Sequence, residues 1–413
     1  MDPSVQKHYA SAGLDRQDVT NYLDNATASR WRFVRLNPRH PNDATLKALE
    51  AEIGSTPVRV PWLPECAQFF AIPSATALNN LRTYQEGKIY GMDCSSGAAV
   101  AALGLNVQGN GGEGRTVRVL DLCCCPGAKL CMIVDMLLGS RMEVVGVDIS
   151  DARLNICKKL LRKYVVTDVV SESSEAPSPL VRLFHADGTT FPQRSDCLVF
   201  DSRAEAQETA SSKGRKRMNK SARAREKKRL KQLDPGEGGD EAGDKAGGTK
   251  ESPAEYDYVL VDAECSTDGA LTHLKHKKKG LKGGAGGGGE GETVTATVKR
   301  KLDDEGNLTA LQLSLLNSGF ANLKVGGTIV YATCSLSAKQ NEDVVRAFID
   351  QHGGEAEAVP LDFLGGNKSP AVSGPNHSLR FSPTLTAEVG VDSVISGGGF
   401  FLCKIVRRKV VLK

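Results

Sequence analysis

The feature that most constrains this chain is a repeated alternation. Short apolar, β-branched runs are followed by amphipathic stretches long enough for helices. The runs at 116–122, 143–147, 180–184, 258–261 and 327–332 predict strands, and 126–138, 151–164, 307–323 and 341–351 predict helices. Two further strands are expected at 379–381 and 400–406. Alternation of this kind predicts an α/β fold, a doubly wound, mainly parallel Rossmann-like sheet. Ligands of such sheets bind beyond the carboxyl ends of the strands. Asp121, Asp148, Asp187, Asp262 and Cys334 all fall at or just beyond those ends. One edge is therefore expected to collect four carboxylates and a thiol.

Within the 413 residues the alternation begins only after a Gly-rich turn at 109–114. Residues 1–112 are expected to form a smaller N-terminal α+β region, and 113–413 the main domain. Two biased stretches interrupt the latter, at 203–255 and 273–303. The first carries eleven Lys/Arg against one Glu between 213 and 231, then turns acidic and Gly-rich; the second is basic from 275 to 282 and then nearly pure Gly. Neither can bury enough apolar surface to fold alone, so both are expected to be disordered inserts. Their basic runs suit phosphate contact, a nuclear or nucleolar targeting signal, or a solvated surface.

The net charge of +4 is too small to indicate a partner. No apolar run reaches the ~18 residues of a membrane span, and Met1 to Ala10 has no signal-like apolar core. There are 11 Cys, an odd number, with none in C-x-x-C spacing. These point to reduced thiols in an intracellular compartment, cytoplasmic or nuclear, and to no metal site.

The turn after the first strand reads Asp121-Leu122-Cys123-Cys124-Cys125-Pro126-Gly127-Ala128-Lys129. Pro126 is expected to open a helix whose N-terminal amides favour an anionic group, with Gly127 allowing close approach. Neither a P-loop nor a dinucleotide fingerprint is present. A carboxylate at Asp148 suits a ribose diol, and Asp187 can accept from an adenine amino group; a plain N-cap and a plain Asp-Gly turn explain them equally well. The fourth strand ends Asp262-Ala263-Glu264-Cys265 and the fifth Thr333-Cys334. Buried cysteines usually only pack. Two on adjacent strand ends beside an Asp instead suit thiolate addition to carbon 6 of a pyrimidine, which makes carbon 5 nucleophilic. A carboxyl group near ring nitrogen 3 would stabilise the adduct.

These segments resemble the Nop/Sun-domain RNA cytosine-5 methyltransferases. The matching motifs are DLCCCPGAK, VGVDIS with Arg153 soon after, HADGTTF, VLVDAECS, YATCSLSAKQNED and GGGFFLCKI, in the family's order from about residue 84 onward. The Arg35–Asn37 and Met92–Ser96 segments look like weaker upstream motifs. The resemblance implies S-adenosylmethionine as cofactor, lined by Cys123, Cys124, Cys125, Pro126, Gly127, Ala128 and Lys129 around its methionine part. Asp148 would hold the ribose, Asp187 the adenine, and Arg153 a neighbouring position. Asp262 would contact the target cytosine, Cys334 would be the nucleophile, and Cys265 would release the product. The chain departs from the family at Glu264, where Pro is usual. Glu264 is expected to raise the pKa of Cys265.

RNA, as tRNA or rRNA, is the implied partner, with no membrane and no metal. Arg30, Trp31, Arg32, Phe33 and Arg35 are expected to face it, although a strand with solvated Arg fits them as well. Three other readings compete. A methyltransferase-fold protein could bind RNA or act as a scaffold without turnover. A DNA cytosine methyltransferase would need its nucleophile at Cys265. A metal-binding redox protein has only the cysteine count in its favour.

Overall fold

The structure, a computed structural model, describes residues 3–11, 31–105, 115–165, 179–191, 195–206, 256–270, 294–361, 370–381 and 399–409. Arg30 and both basic runs, at 213–231 and 275–282, lie outside the described residues.

The sheet follows from the apolar runs. Strands β1 to β4 (Trp31–Leu36, Val58–Arg59, Phe69–Pro73, Ile89–Gly91) form a small antiparallel sheet in the order β2-β3-β1-β4. The same N-terminal region also supplies α1 (Pro3–Ser11), α2 (Asn42–Ile53) and α3 (Cys94–Ala102). The main domain supplies β5 (Val117–Asp121), α4 (Ala128–Met136), β6 (Met142–Asp148), α5 (Asp151–Tyr164), β7 (Leu180–His185), β8 (Leu198–Asp201) and β9 (Tyr256–Asp262). It continues with α6 (Val294–Asp303), α7 (Glu305–Ala321), β10 (Leu323–Thr333), α8 (Glu342–His352), β11 (Ala356–Val359), β12 (Ala371–Ser373), β13 (Leu379–Phe381) and β14 (Phe400–Arg407). The large sheet runs β12-β13-β14-β10-β9-β5-β6-β7-β8, with β11 also on β14.

Its middle five strands, β10-β9-β5-β6-β7, are mutually parallel, as the alternation predicts. Antiparallel strands β14 and β8 flank them. The order reverses between β5 and β9, so the crevice beyond those two strands is the topological switch point. Period-two alternation divides the core between the faces. Val119, Val144, Leu260 and Val330 join α3, α4 and α5 on one side; Leu120, Val145, Val259, Val261 and Ile329 join α7 and α8 on the other.

Several boundaries differ from the sequence reading. Helix α6 occupies the last ten residues of the stretch assigned to the second insert, 273–303. Helix α4 starts at Ala128 with Gly127 as its N-cap, so Pro126 precedes the helix rather than opening it. The short edge strand β8 has no strong apolar alternation and was not expected.

The N-terminal sheet is joined to the main domain by shared apolar packing and by a buried ionic cluster. Phe33, Trp62, Phe69 and Tyr90 pack into the same core as Cys131 and Ile133. Asp135, on α4, takes hydrogen bonds from Arg35 at 2.5 Å, from Arg39 and from the Tyr90 hydroxyl at 2.9 Å. Arg35 is 1% exposed and Phe33 5%. The expectation that these two face RNA is therefore overturned: the burial that β1 needs to seat on the main domain turns both inward. In the Arg35–Asn37 segment, Asn37 likewise holds a backbone carbonyl, Gly87 O, at 2.9 Å.

Candidate functional site

The loop after β5 lies against the end of β6. Cys124 N–H donates to Val147 O at 3.0 Å, and Cys123 N–H to the Asp121 carboxylate at 3.3 Å. Gly127 adopts φ +112°, which a side chain would strain, and a Cβ there would sit 2.7 Å from Cys157 Sγ. With no side chain to cap α4, its first-turn amides are left for an anionic group. Asp148 closes β6 with its side chain 3% exposed. It accepts from Ser150 N–H at 2.9 Å and pairs with Arg153 at 3.3 Å. Arg153 also donates to Cys125 O at 2.5 Å, so it braces the two strand ends against each other. Ile149, directly after Asp148, leaves 69% of its surface exposed on the rim. Asp187 is exposed beyond β7, where one carboxylate oxygen accepts from Thr189 N–H and Oγ1 at 2.9 and 2.8 Å.

Lys129 reaches across the switch point to Asp262 at 2.7 Å. Burial works against its charge, but Asp262 and Asp121 hold its pKa above the ordinary value. This link between the loop after β5 and the end of β9 has no signature in the sequence. Asp121 is fully enclosed, and burial, then the neighbouring Asp262 charge, pushes its carboxyl up to about 8. A carboxyl raised on folding favours the folded state most below its unfolded value, near ~4, and that advantage is lost as pH climbs toward ~8. Asp121→Asn is accordingly expected to flatten the fall in stability between about pH 4 and pH 8, an effect on the order of a few kcal/mol. Urea midpoints of both proteins across that range would check it; parallel pH profiles would refute it.

Cys265 and Cys334 lie just past the ends of β9 and β10, with their sulfurs 3.1 Å apart. Cys265 is 3% exposed, whereas Cys334 is half-buried and more accessible. The hydrogen bond shared with Cys334 and the Thr267 backbone both support the Cys265 sulfur, so the Cys265 thiol falls below its ordinary value despite burial. Cys334 is raised, by the same hydrogen bond and by desolvation. The expectation for Glu264 is corrected here. Its side chain is exposed, and hydrogen bonds to the Cys265 sulfur lower that thiol rather than raise it.

A buried polar network holds the two cysteine loops together. Asp268 accepts from Leu336 N–H at 3.0 Å and from Ser266 Oγ, and lies 2.7 Å from His8 Nε2 on α1. Gln340 Oε1 accepts from Ser266 N–H at 3.0 Å. Lys301 on α6 donates to Cys265 O at 2.8 Å and Thr267 Oγ1 at 3.0 Å. Gly269 N–H donates to Cys334 O at 3.0 Å; a Cβ there would lie 2.8 Å from that oxygen. Sequence reasoning missed His8, Asp268, Lys301 and Gln340 as supports of this site. Asp268 follows Cys265 by three residues and Gln340 lies in the motif with Cys334, but nothing in the sequence signals that they meet.

All eleven cysteines are free thiols. Among the described residues no helix is long and apolar enough to cross a membrane.

Residues 290–388 match the family described as 16S rRNA methyltransferase RsmB/F. The ribosomal RNA small subunit methyltransferase F of Erwinia tasmaniensis is 29% identical over 127 residues, 30% of this chain and 23% of that protein. A probable ribosomal RNA small subunit methyltransferase B of Bacillus subtilis is 34% identical over 108 residues, 26% of this chain and 20% of that protein. The mitochondrial tRNA (cytosine(34)-C(5))-methyltransferase of Mus musculus is 30% identical over 113 residues, 27% of this chain and 26% of that protein. The matched segment thus spans about a quarter of these relatives' length. In fold, the chain is similar to NSun6 from Pyrococcus horikoshii, solved with SFG, at a TM-score of 0.58 and 14% identity, covering 98% of each chain. A methyltransferase homologue from the same organism gives 0.54 at 18% identity, covering 99% of this chain and 100% of that one. Over residues 290–388 the chain is thus similar to the 16S rRNA methyltransferase RsmB/F family, and over nearly its whole length it shares the fold of these two solved proteins.

Proposed function

We propose that this chain transfers a methyl group from S-adenosylmethionine to carbon 5 of cytosine in RNA, through a covalent adduct with Cys334. The observation that carries the reading is the pair of thiols 3.1 Å apart at neighbouring parallel strand ends, next to the Lys129–Asp262 ion pair. The substrate is tRNA or rRNA, the two classes that the relatives' names cover.

The residues at the ends of β5 and β6 fit the cofactor. Uncapped amides open α4, a carboxylate ends β6, and exposed apolar surface at Ile149 lies beside it. Bound there, S-adenosylmethionine supplies an electrophilic methyl group. The Cys123–Lys129 loop would line the methionine part, and its amides would hold the carboxylate. Asp148, held in place by Arg153, would accept from the ribose hydroxyls, and Asp187 would accept from the adenine amino group.

The cysteine pair divides the labour by accessibility. Cys334, the more exposed sulfur, bonds to carbon 6 of the cytosine and gives its proton to Cys265. Asp262, positioned by Lys129, acts here as the acid: in its protonated form it donates its proton to ring nitrogen 3 as negative charge develops there. The adduct makes carbon 5 nucleophilic, and the bound cofactor would supply the methyl group it takes. Cys265, its proton lost to solvent, takes the proton from carbon 5. The carbon 5–carbon 6 double bond re-forms and Cys334 leaves.

The test is transfer of labelled methyl from S-adenosylmethionine to total RNA, followed by digestion to nucleosides. Label in 5-methylcytidine is the expected result. Cofactor binding without labelled nucleoside would favour a non-catalytic RNA-binding or scaffold protein, and failure to bind the cofactor would overturn the reading.

A further inference from the structure

Helix α5 brings a third cysteine to the loop after β5. Cys157 lies on the buried face of that helix, and its Sγ, with those of Cys124 and Cys125, forms a triangle whose members all lie within 4.8 Å of one another. The Cys124–Cys125 sulfur separation is 3.9 Å. Three sulfurs around a metal with bonds of about 2.3 Å stand roughly 3.8–4.0 Å apart, so the triangle is already close to a ligand set. The backbone has cleared room for the sulfurs on two sides. A Cβ on Gly127 would meet Cys157 Sγ at 2.7 Å, and one on Gly146 would meet Cys124 Sγ at 2.9 Å. All three cysteines are buried, so water competes little for a soft ion. The Asp148 carboxylate lies within hydrogen-bonding reach of the Cys125 thiol and offers an oxygen donor at the cluster's edge.

We propose that Cys124, Cys125 and Cys157 form a three-thiolate site for a divalent d10 cation of the Zn2+ or Cd2+ type. Soft thiolates select such ions, and tetrahedral sulfur-rich coordination is their common structural geometry. On binding, three metal–sulfur bonds form, any protons still on the thiols pass to solvent, and no electron changes hands. The ion would staple α5 to the loop that ends β5. Spacing rules do not reach this site, because 32 residues separate Cys157 from Cys125 and only the fold closes the gap. Cys124, Cys125 and Asp148 also belong to the proposed cofactor pocket, but the test reads metal–sulfur bonds alone and stands apart from that reading.

The reduced full-length chain would be titrated with Cd2+ while the thiolate-to-cadmium absorption in the ultraviolet is followed. The comparison proteins are Cys157→Ser, Cys157→Ala and the double variant Cys265→Ser/Cys334→Ser. One equivalent is expected to bind the wild type and the double variant alike. Both Cys157 variants are expected to bind at least tenfold more weakly, with a smaller band. Cys131→Ser, a buried thiol on α4 outside the triangle, is expected to keep wild-type binding. X-ray absorption of the zinc-loaded wild type gives a reading that needs no variant to fold: three sulfurs at about 2.3 Å support the site. One sulfur or none, no cadmium band, or wild-type affinity in folded Cys157 variants would each overturn it.

Discussion

Cys334→Ala is expected to abolish methyl transfer to RNA, by at least about a thousandfold, because it removes the thiol that makes the carbon 6 adduct. Cys265→Ala is expected to fail differently. Cys334 is still present and accessible, so the adduct forms; the thiol that accepts the carbon 5 proton is gone, so release stalls. The measurable sign is a protein–RNA species that survives denaturing electrophoresis in Cys265→Ala and is missing in Cys334→Ala. The opposite pattern, with the adduct trapped in Cys334→Ala, would move the nucleophile to Cys265. The structure makes that outcome worth looking for. In the free protein Cys265 is the lowered thiol of the pair and Cys334 the raised one. Accessibility favours Cys334, and proton transfer across 3.1 Å reconciles the two observations.

Asp135→Ala is expected to be among the most destabilising single changes in the chain. Its side chain is fully buried and faces the guanidinium groups of Arg35 and Arg39 and the Tyr90 hydroxyl. Removing it leaves two buried cations without their counter-ion, which typically costs about 3–5 kcal/mol. Asp135→Asn keeps the shape and one acceptor but loses the charge, so a large part of that cost is expected to remain. Asp343→Ala, at the exposed pair with Arg346, serves as the control and is expected to leave the urea midpoint nearly unchanged. Because Arg35 and Tyr90 belong to the N-terminal sheet, the damage is expected first where that sheet meets α4. Faster proteolysis of the N-terminal region in Asp135→Ala than in wild type would locate it; a midpoint within error of wild type would refute the role of the cluster.

The sequence by itself determined the parallel core and its working edge. Apolar β-branched runs separated by helical periods can satisfy their backbone groups and bury both faces only as a parallel sheet between helices. The order of those runs then carries Asp121, Asp148, Asp187, Asp262 and Cys334 to or just past the strand ends. Only the tertiary structure decided which side chains meet. Arg35 read as an RNA contact because an Arg beside aromatics looks the same whether it faces solvent or a buried Asp a hundred residues away. Glu264 read as a charge on Cys265 because adjacency in the chain does not say which way a side chain points. Lys129 with Asp262, His8 with Asp268, and Cys157 with Cys124 and Cys125 are pairings across long separations. Such contacts are fixed by strand order and helix packing, and those depend on the whole core rather than on any local pattern of residues.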